Sequence, residues 1–386
     1  MVILTNEVLI FLTRSYNMQN KPKHFATGQY TPQQKETLRA SGYPAASRET
    51  FKVPDKFSYA NTALEKLPCN LCDGNSFEVI ATRDRNPLPV TTVICRDCGL
   101  VAINPRHRAD WYRHYYREEY RNQMARFKGL SRAAVYTPEY HFNKTVPRGR
   151  ALLELMQPYI KSGLTVEVGS SAGGILYAFR EGLGVSVLGI EPSPEEAAFA
   201  RLRGIETIES LIEDLTVEVP KAENVLSFRS LNHMLDPRGF FLFANRHLEL
   251  DGRLVLEVMH FLNVAKEYQY LPRAIQIDHV FMFTPQVLRQ YAQAFGFEVI
   301  YEGTDRKGGH MYLVARKVRD EATGADEQRA ETYGETMAAI RDIHSSAALF
   351  FLNHRVPQYA NRHLYKTKSA LKRVLKALGL YTARRK

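Results

Sequence analysis

The hydrophobic pattern becomes regular near residue 148 and alternates from there between helix-like and strand-like stretches. "RGRALLELMQPYI" places Leu152, Leu155 and Met156 at helical spacing, which predicts a helix over residues 148–160. "LTVEVG" is a short apolar run typical of a buried strand, and "GGILYAFREG" predicts the helix that follows it. Strands that alternate with helices favour a mainly parallel sheet covered on both faces.

The alternation continues to about residue 318. Further apolar runs predict the strands "GVSVLGI", "IETI", "ENVLSF" and "GRLVLEV", and one of the intervening helices is expected to begin at Pro194 with Ser193 as its N-cap. The last stretch, "FEVIYEGTDRKGGHMYLVARK", predicts two strands joined by a polar turn. We therefore expect an α/β fold whose Rossmann-like sheet has seven strands and ends in an antiparallel hairpin.

A glycine-containing turn follows the first strand, in "VEVGSSAGG". Gly169 and Gly173 would let the backbone approach a ligand closely, and Glu191 ends the second strand 22 residues after Gly169, which suits the binding of ribose hydroxyls. These features fit a nicotinamide cofactor and an adenosyl cofactor alike. Glu167 separates the two, because a carboxylate just before the turn disfavours a pyrophosphate and favours a ligand with a cationic amino group.

All four cysteines lie within thirty residues as two C-x-x-C pairs, Cys69 with Cys72 and Cys95 with Cys98. Two such pairs can turn four thiolates toward one tetrahedral zinc ion, and the residues between them predict two short strands around a Pro-rich turn, as in a zinc ribbon. Because all four ligands come from the protein, we expect a structural metal. Two disulfides or buried unreactive thiols are the alternatives; we expect no secretory signal, which disfavours the disulfides.

The formal net charge of +11 lies mostly in the C-terminal tail, since ten basic residues and no acidic residue follow Asp342. There "SALKRVLKALGL" combines an apolar stripe with lysine and arginine on the opposite face. Such a helix is typical of docking to an anionic membrane surface or an acidic partner, and a merely exposed helix is the alternative. The rest of the chain is nearly neutral, so nucleic acid is not the expected partner.

The motifs, taken in order, resemble a class I S-adenosylmethionine-dependent methyltransferase of the bacterial group with an N-terminal zinc ribbon, such as the sugar C-methyltransferases. "EVGSSAGG" is similar to the family's acidic-x-Gly-x-Gly-x-Gly loop, with Ser171 in place of the middle glycine, and "GIEPS" to its ribose-binding segment. "SFRSLNHMLDPRGFF" resembles the family's "hxLEHxxDP" segment, and "CRDCGLVAINPR" its ribbon-to-linker signature. We expect no counterpart of the further C-terminal domain of the sugar enzymes, since about seventy residues follow the predicted sheet in this sequence.

The resemblance implies S-adenosylmethionine as the cofactor and assigns its parts to residues. The methionine part is expected to contact Glu167, Gly169, Ser171 and Gly173. Glu191 is expected to bind the ribose, and Leu211 and Ile212 the adenine. The alternative is that the glycines only close a turn and that Glu191 caps the next helix.

A candidate catalytic base also follows from the resemblance. "IDHVFMFTPQVL" resembles the "EHxxYF" stretch in which a histidine near the acceptor acts in proton transfer, which favours His279 as the base with Asp278 assisting. The two can cooperate only if this stretch is a loop, because neighbours on a strand point to opposite faces. His233 after the fourth strand is the second candidate and His310 the third; histidines bonded only to the backbone are the alternative.

The chain thus divides into five predicted segments: an extended arm (1–60) that could wrap a second subunit, a zinc ribbon (61–110), a Tyr-rich linker (111–147), the methyltransferase domain (148–318) and a helical basic extension (319–386). In the resembling family the Tyr-rich linker folds over the cofactor pocket as a lid. An amphipathic helix that packs its rings on the core is the alternative.

These features together predict methyl transfer to a small-molecule acceptor, a sugar or polysaccharide precursor, on carbon or oxygen. The alternatives are an RNA-directed methyltransferase, a non-catalytic zinc-ribbon protein that binds nucleic acid, and a nicotinamide oxidoreductase. We expect a cytoplasmic enzyme whose basic tail can place it at the inner membrane surface.

Overall fold

The structure is a computed structural model that describes residues 63–86, 88–120, 137–320 and 329–350. The predicted arm over residues 1–60 and the basic amphipathic helix in "SALKRVLKALGL" lie outside these described residues.

The four cysteines belong to a small antiparallel sheet at the start of the described chain. Its strands include β2 (Phe77–Arg83), β3 (Pro89–Cys95) and β4 (Val101–Ile103), and β1 (Leu64–Glu65) pairs separately with β5 (Arg106–His107). β2 and β3 are the two short strands predicted between the cysteine pairs.

Helix α1 (Ala109–Glu118) follows the ribbon and carries most of the tyrosine-rich stretch. Trp111 stacks on His107 with 3.8 Å between ring centroids, and Tyr112 and Tyr115 are buried. These rings pack on the core, as the amphipathic alternative predicts. Tyr116 lies differently, because its hydroxyl is 3.2 Å from His233 Nδ1 at the edge of the central sheet.

Seven strands form the central sheet. They are β6 (Leu164–Val168), β7 (Ser186–Ile190), β8 (Glu206–Ile208), β9 (Ala222–Phe228), β10 (Leu248–Met259), β12 (Phe297–Thr304) and β13 (His310–Lys317). Their order is β12-β13-β10-β9-β6-β7-β8, and β13 is antiparallel to both of its neighbours. The predicted α/β fold with seven strands and a terminal hairpin is confirmed, and the carboxyl ends of β6, β7, β9 and β10 meet along one edge.

Helices cover the sheet: α2 (Pro138–Met156), α3 (Gly174–Leu183), α4 (Pro194–Leu202), α5 (Pro237–His247), α6 (Phe261–Tyr268) and α7 (Pro285–Ala294). Several begin with a hydroxyl cap followed by proline, the combination that satisfies an exposed backbone N–H and pre-sets the first turn. The predicted cap Ser193 accepts from the backbone N–H of Glu196, and Thr284 caps α7 in the same way.

The first of these helices starts earlier than the predicted span of 148–160 and includes ten residues of the predicted linker. Thr137 caps it, and Pro138 occupies the first turn, where a missing N–H costs nothing. Phe142 then packs edge-on against Tyr177 and tilts against Phe199. The helix continues through Pro147, the last residue of the predicted linker.

A two-residue strand joins the ribbon to the methyltransferase region. β11 (Phe281–Met282) pairs antiparallel with β4, so that the ribbon sheet has the order β11-β4-β3-β2. One apolar core also runs from Ile94 of the ribbon to Phe241 and Tyr291 beside the central sheet. The ribbon and α1 (residues 63–120, here called the N-terminal module) therefore share a core with the catalytic region.

Helix α8 (Arg329–Phe350) lies against the ribbon. The Tyr333 hydroxyl donates to Glu78 at 2.6 Å, and Gln290 Nε2 donates to Thr332 Oγ1 at 2.8 Å. Among the residues the structure describes, no helix is long and apolar enough to span a bilayer.

Candidate active site

The carboxyl edge of the central sheet holds a buried carboxylate beside the glycine turn. Glu167, the penultimate residue of β6, is 1% exposed, and its Oε2 has no hydrogen-bond partner among the described residues. Burial raises the pKa of Glu167 well above its ordinary value, although nearby Arg148 opposes the shift. Such an oxygen is suited to pair with the positively charged group of a ligand.

The turn after β6 follows a path that requires glycine. Gly169 and Gly173 have φ of +79° and +77°, and a Cβ at position 169 would lie 2.2 Å from Ser230 Oγ. Gly173 is also the N-cap of α3, so the turn leads directly into the positive end of a helix. The path of the turn therefore depends on glycine at positions 169 and 173.

Ser171 adopts the left-handed conformation that the family's middle glycine would take easily, with φ of +50°. Two contacts stabilise it: its backbone N–H donates to Glu191 Oε2 at 2.8 Å, and its hydroxyl donates to Glu196 Oε2 at 3.1 Å. Glu196 is in turn 2.6 Å from His141 of α2. A side-chain network thus offsets the cost of a residue with a Cβ at this position.

Glu191 is 8% exposed and follows β7. Its second oxygen accepts from the backbone N–H of Ser193 at 2.9 Å, while Ser193, not Glu191, is the N-cap of α4. Each carboxylate oxygen can accept a second hydrogen bond. Glu191 therefore orders the glycine turn from the carboxyl end of β7.

The residues predicted to contact adenine lie one strand further along the same edge. Leu211 and Ile212 are half-buried and follow β8, where a 3-10 helix over Ile212–Asp214 begins. Their position beyond the second and third strands agrees with a ligand that extends from the glycine turn past Glu191.

Near Glu167, the sequence predicted only part of a cluster of charged side chains. Glu257 of β10 is completely buried and accepts from Arg148 of α2 and, at 2.7 Å, from Arg229 Nε after β9. The sequence places Glu257 at a strand end, but Arg148 and Arg229 gave no signal because their pairing depends on tertiary contacts. Two guanidinium groups thus bind Glu257, and that of Arg148 lies close enough to Glu167 to oppose its raised pKa.

The second cluster contains the candidate bases. His233, Asp278 and His279 have donor atoms within 4.8 Å of one another, and the imidazoles of His233 and His279 meet edge to face, 4.5 Å apart. Residues 277 and 278 form a turn. The loop condition for cooperation between Asp278 and His279 is therefore met.

Hydrogen bonds distinguish the two imidazoles. His233 Nδ1 lies 3.0 Å from the Asp278 carbonyl oxygen, which can only accept, so Nδ1 carries the proton and Nε2 keeps a lone pair. His279 Nδ1 lies 3.3 Å from Gln276 Nε2, which donates to it, so the proton of neutral His279 is on Nε2. Burial lowers the pKa of His279 well below its ordinary value, and the positive charge of Arg85 acts in the same direction.

The remaining candidate histidine lies apart from this pair. His310, at the start of β13, is 3.2 Å from Asp305 Oδ2 and 3.5 Å from Arg229. It thus belongs to the charged edge near Glu257. Tyr116, which sequence reasoning assigned only to a lid or a core helix, instead donates to the Asp278 carbonyl at 3.2 Å.

The two clusters are close along the chain. Ser230, whose Oγ lies 3.4 Å from the Gly169 carbonyl oxygen, is three residues before His233. A ligand held at the glycine turn and a group held at the histidines would therefore approach each other at the end of β9.

The four cysteine thiols also converge. Cys69 and Cys98 have sulfurs 3.4 Å apart, Cys72 and Cys95 3.6 Å apart, and all four lie within 4.8 Å of one another. These distances far exceed a disulfide bond of about 2.05 Å. They approach the ~3.8 Å between ligands of a tetrahedral site with zinc–sulfur bonds of about 2.3 Å.

Comparison with known families agrees with this arrangement. Residues 141–302 match a family model described as a methyltransferase domain, and the matched residues include the glycine turn, Glu191 and both histidines. The mixed sheet of seven strands has the architecture of the class I enzymes. Residues 141–302 therefore form a methyltransferase domain of the class I, S-adenosylmethionine-dependent type.

Solved structures with a similar region include a methyltransferase from Thermotoga maritima (19% identity, 46% of this chain and 94% of that one, TM-score 0.37). A second is the CcbJ methyltransferase from Streptomyces caelestis (14% identity, 45% of this chain and 90% of that one, TM-score 0.38). A third is the glycopeptide N-methyltransferase MtfA with S-adenosylmethionine (17% identity, 43% of this chain and 86% of that one, TM-score 0.34). Likeness at this level says nothing about the acceptor of this chain. No curated protein matches it.

Gly169→Ala is expected to weaken S-adenosylmethionine binding by about tenfold or more, measured by titration calorimetry. The added methyl group would collide with Ser230 Oγ and displace the turn. Gly184→Ala is the matched control, because Gly184 also has a positive φ (+67°) but a Cβ there would meet nothing within 4 Å. It should lose about 1 kcal/mol of stability and keep its affinity; equal affinity in both variants would argue against a cofactor at this turn.

Proposed function

We propose that the protein transfers a methyl group from S-adenosylmethionine to a sugar or polysaccharide precursor. The observation that carries the proposal is the meeting of two sites at the end of β9. One is a glycine turn beside an unpaired buried carboxylate, and the other is a recessed histidine whose Nε2 keeps a lone pair. The sugar rests on the resemblance of "IDHVFMFTPQVL" to sugar C-methyltransferases.

The residues present fit the cofactor. Glu167 offers its buried Oε2 to the ammonium group, Arg148 and Arg229 can bind the carboxylate, and Gly169 gives the turn the positive φ that its path requires. We assign Ser171 and Gly173 to the same end of the ligand, Glu191 to the ribose, and Leu211 and Ile212 to the adenine. When bound, S-adenosylmethionine supplies a methyl group on a sulfonium for in-line displacement.

We assign the catalytic base to His233, the second candidate from the sequence. Its Nδ1–H is held by the Asp278 carbonyl, so its Nε2 can take a proton from the acceptor. His279 remains neutral because of its lowered pKa, and its Nε2–H is placed to donate a hydrogen bond to the acceptor. Asp278 and Tyr116 orient His233 through contacts to its Nδ1, on the opposite side of the ring from Nε2.

The depth of this cluster supports a small acceptor. Asp278 and His279 are 3% and 8% exposed, and the His233 side chain is 27% exposed. Only a group that projects into the recess can reach His233. A sugar hydroxyl or a carbon beside a keto group can do so, and either loses a proton when it is methylated.

We further propose that the four cysteines hold one structural zinc ion. The donor set is closed, and knuckle hydrogen bonds organise it: Cys69 N–H donates to Gly74 O at 2.8 Å, and Gly99 N–H to Cys95 O at 2.9 Å. The zinc would stabilise the sheet to which β11 belongs. The tail, outside the described residues, is proposed to dock on an anionic surface.

His233→Asn is expected to reduce methyl transfer by about 100-fold or more, because the base is removed while Asn can still hydrogen-bond. His279→Asn should reduce it less and mainly raise KM. The acceptor is first found by mass-spectrometric screening of nucleotide sugars, and rates are then compared across pH. If both variants turn over like the wild type while binding S-adenosylmethionine, the proposed base is wrong; if no sugar gains a methyl group, the proposed acceptor class is wrong.

Cys95→Ser is expected to lower the zinc content from about one ion per chain and to destabilise the fold. Metal analysis and thermal unfolding measure the two effects. Ser76→Ala, at an exposed ribbon position, is the control and should change neither. Purified wild-type protein that is folded and free of metal would contradict the zinc site.

A further inference from the structure

The segment that carries Asp278 and His279 is held by the N-terminal module. We call residues 275–282 the acceptor segment, and its role rests on the proposed function because the same histidines are involved. The segment lacks regular structure except for β11, so its position depends on what its backbone groups contact.

Those contacts come largely from the ribbon and α1. The Ile275 carbonyl accepts from Arg85 N–H at 3.0 Å, and Ile103 N–H donates to the Val280 carbonyl at 2.9 Å. The Ile277 carbonyl accepts from the Tyr112 hydroxyl at 3.3 Å. The pairing of β11 with β4 completes this set of contacts.

Asp84 makes the one contact in this set that uses a charged side chain. It is 2% exposed in the turn between β2 and β3, and its Oδ2 accepts from Ile277 N–H at 3.2 Å. Its other oxygen, Oδ1, accepts from the backbone of its own turn, from Asn86 at 2.7 Å and Leu88 at 2.9 Å. One oxygen therefore shapes the ribbon turn, and the other binds the residue directly before Asp278.

We propose that Asp84 is a positioning residue that fixes the acceptor segment, so that the ribbon completes the acceptor site while the cofactor site does not need it. Asp84 reaches no reacting group itself. It acts through Ile277 on the orientation of Asp278 and His279, and thereby on His233, whose Nδ1–H the Asp278 carbonyl accepts. None of these contacts between the N-terminal module and the acceptor segment involves the glycine turn, Glu167 or Glu191.

Because the two carboxylate oxygens of Asp84 bind different groups, one substitution can remove the contact to the acceptor segment and keep the contacts to the ribbon turn. In Asp84→Asn the amide oxygen can keep both hydrogen bonds of the turn, which leaves the amide NH₂ facing Ile277 N–H. Two donors then meet, and only the contact to the acceptor segment is lost. Glu78→Gln is the matched control, because Glu78 is a ribbon carboxylate that contacts Tyr333 and Arg96 instead.

Hydrogen-exchange mass spectrometry on the full chain tests the proposal directly. Asp84→Asn should speed exchange in peptides covering residues 275–282 by about tenfold, while peptides over residues 164–175 keep the wild-type rate. The affinity for S-adenosylhomocysteine should stay within about twofold of the wild type, and the zinc content should be unchanged. Glu78→Gln should alter none of these quantities.

Histidine NMR supplies a readout that a general loss of stability would not give. The wild-type His279 signal, assigned by its absence in His279→Asn, should titrate well below the ordinary pKa because of burial and nearby positive charge. In Asp84→Asn it should titrate closer to the ordinary value, because the segment is no longer held in place.

Tyr112→Phe keeps the test decisive if Asp84→Asn loses zinc or unfolds, since it removes only the hydroxyl bond to the Ile277 carbonyl. It should shift both readouts in the same direction by a smaller amount. Unchanged exchange and unchanged His279 titration in the folded variants would overturn the proposal. Failure of the wild type to bind S-adenosylhomocysteine would instead overturn the proposed function, because the exchange measurement needs no ligand.

Discussion

A buried carboxylate oxygen, Glu167 Oε2, that has no hydrogen-bond partner among the described residues is the constraint around which the site is built. Glu167 costs free energy where it stands, because an oxygen removed from water and left unpaired is destabilising. Arg148 reduces this cost without a direct bond, and Arg148 is itself held by Glu257. Such an arrangement can be stable enough to fold, and the cationic ligand proposed for this site would complete it.

The second organising feature is that the acceptor side of the site is shared between modules. β11 adds a strand to the ribbon sheet, and a single apolar core continues from the ribbon to α5 and α7. The proposed zinc ion would therefore affect catalysis only indirectly, through the sheet that holds residues 275–282. Asn232 supports the same stretch from the methyltransferase side by donating to the Phe281 carbonyl at 3.1 Å.

Much of this could be predicted from sequence, because the signals are local. Strand–helix alternation, the two C-x-x-C pairs, the glycines at 169 and 173 and the acidic residues at strand ends each need only a short window. The rest depends on contacts between distant residues. No local pattern pairs Arg148 with Glu257, brings Tyr116 to His233, or makes a strand of two residues at 281–282. The choice between His233 and His279 likewise depends on which ring nitrogen meets a carbonyl, and sequence carries no information on that.

The central claim is that Glu167 meets the ammonium group of the cofactor, and proton linkage tests it most directly. Because burial raises the pKa of Glu167, its carboxyl stays protonated in the free protein up to a higher pH than an ordinary glutamate does, and pairing with an ammonium would expel that proton. Calorimetric titration with S-adenosylhomocysteine in buffers of different ionisation enthalpy measures the release. The account predicts release of up to about one proton by the wild type, declining as pH rises through the raised pKa, and none by Glu167→Gln. Tight binding by the wild type with no proton release at any of these pH values would contradict it.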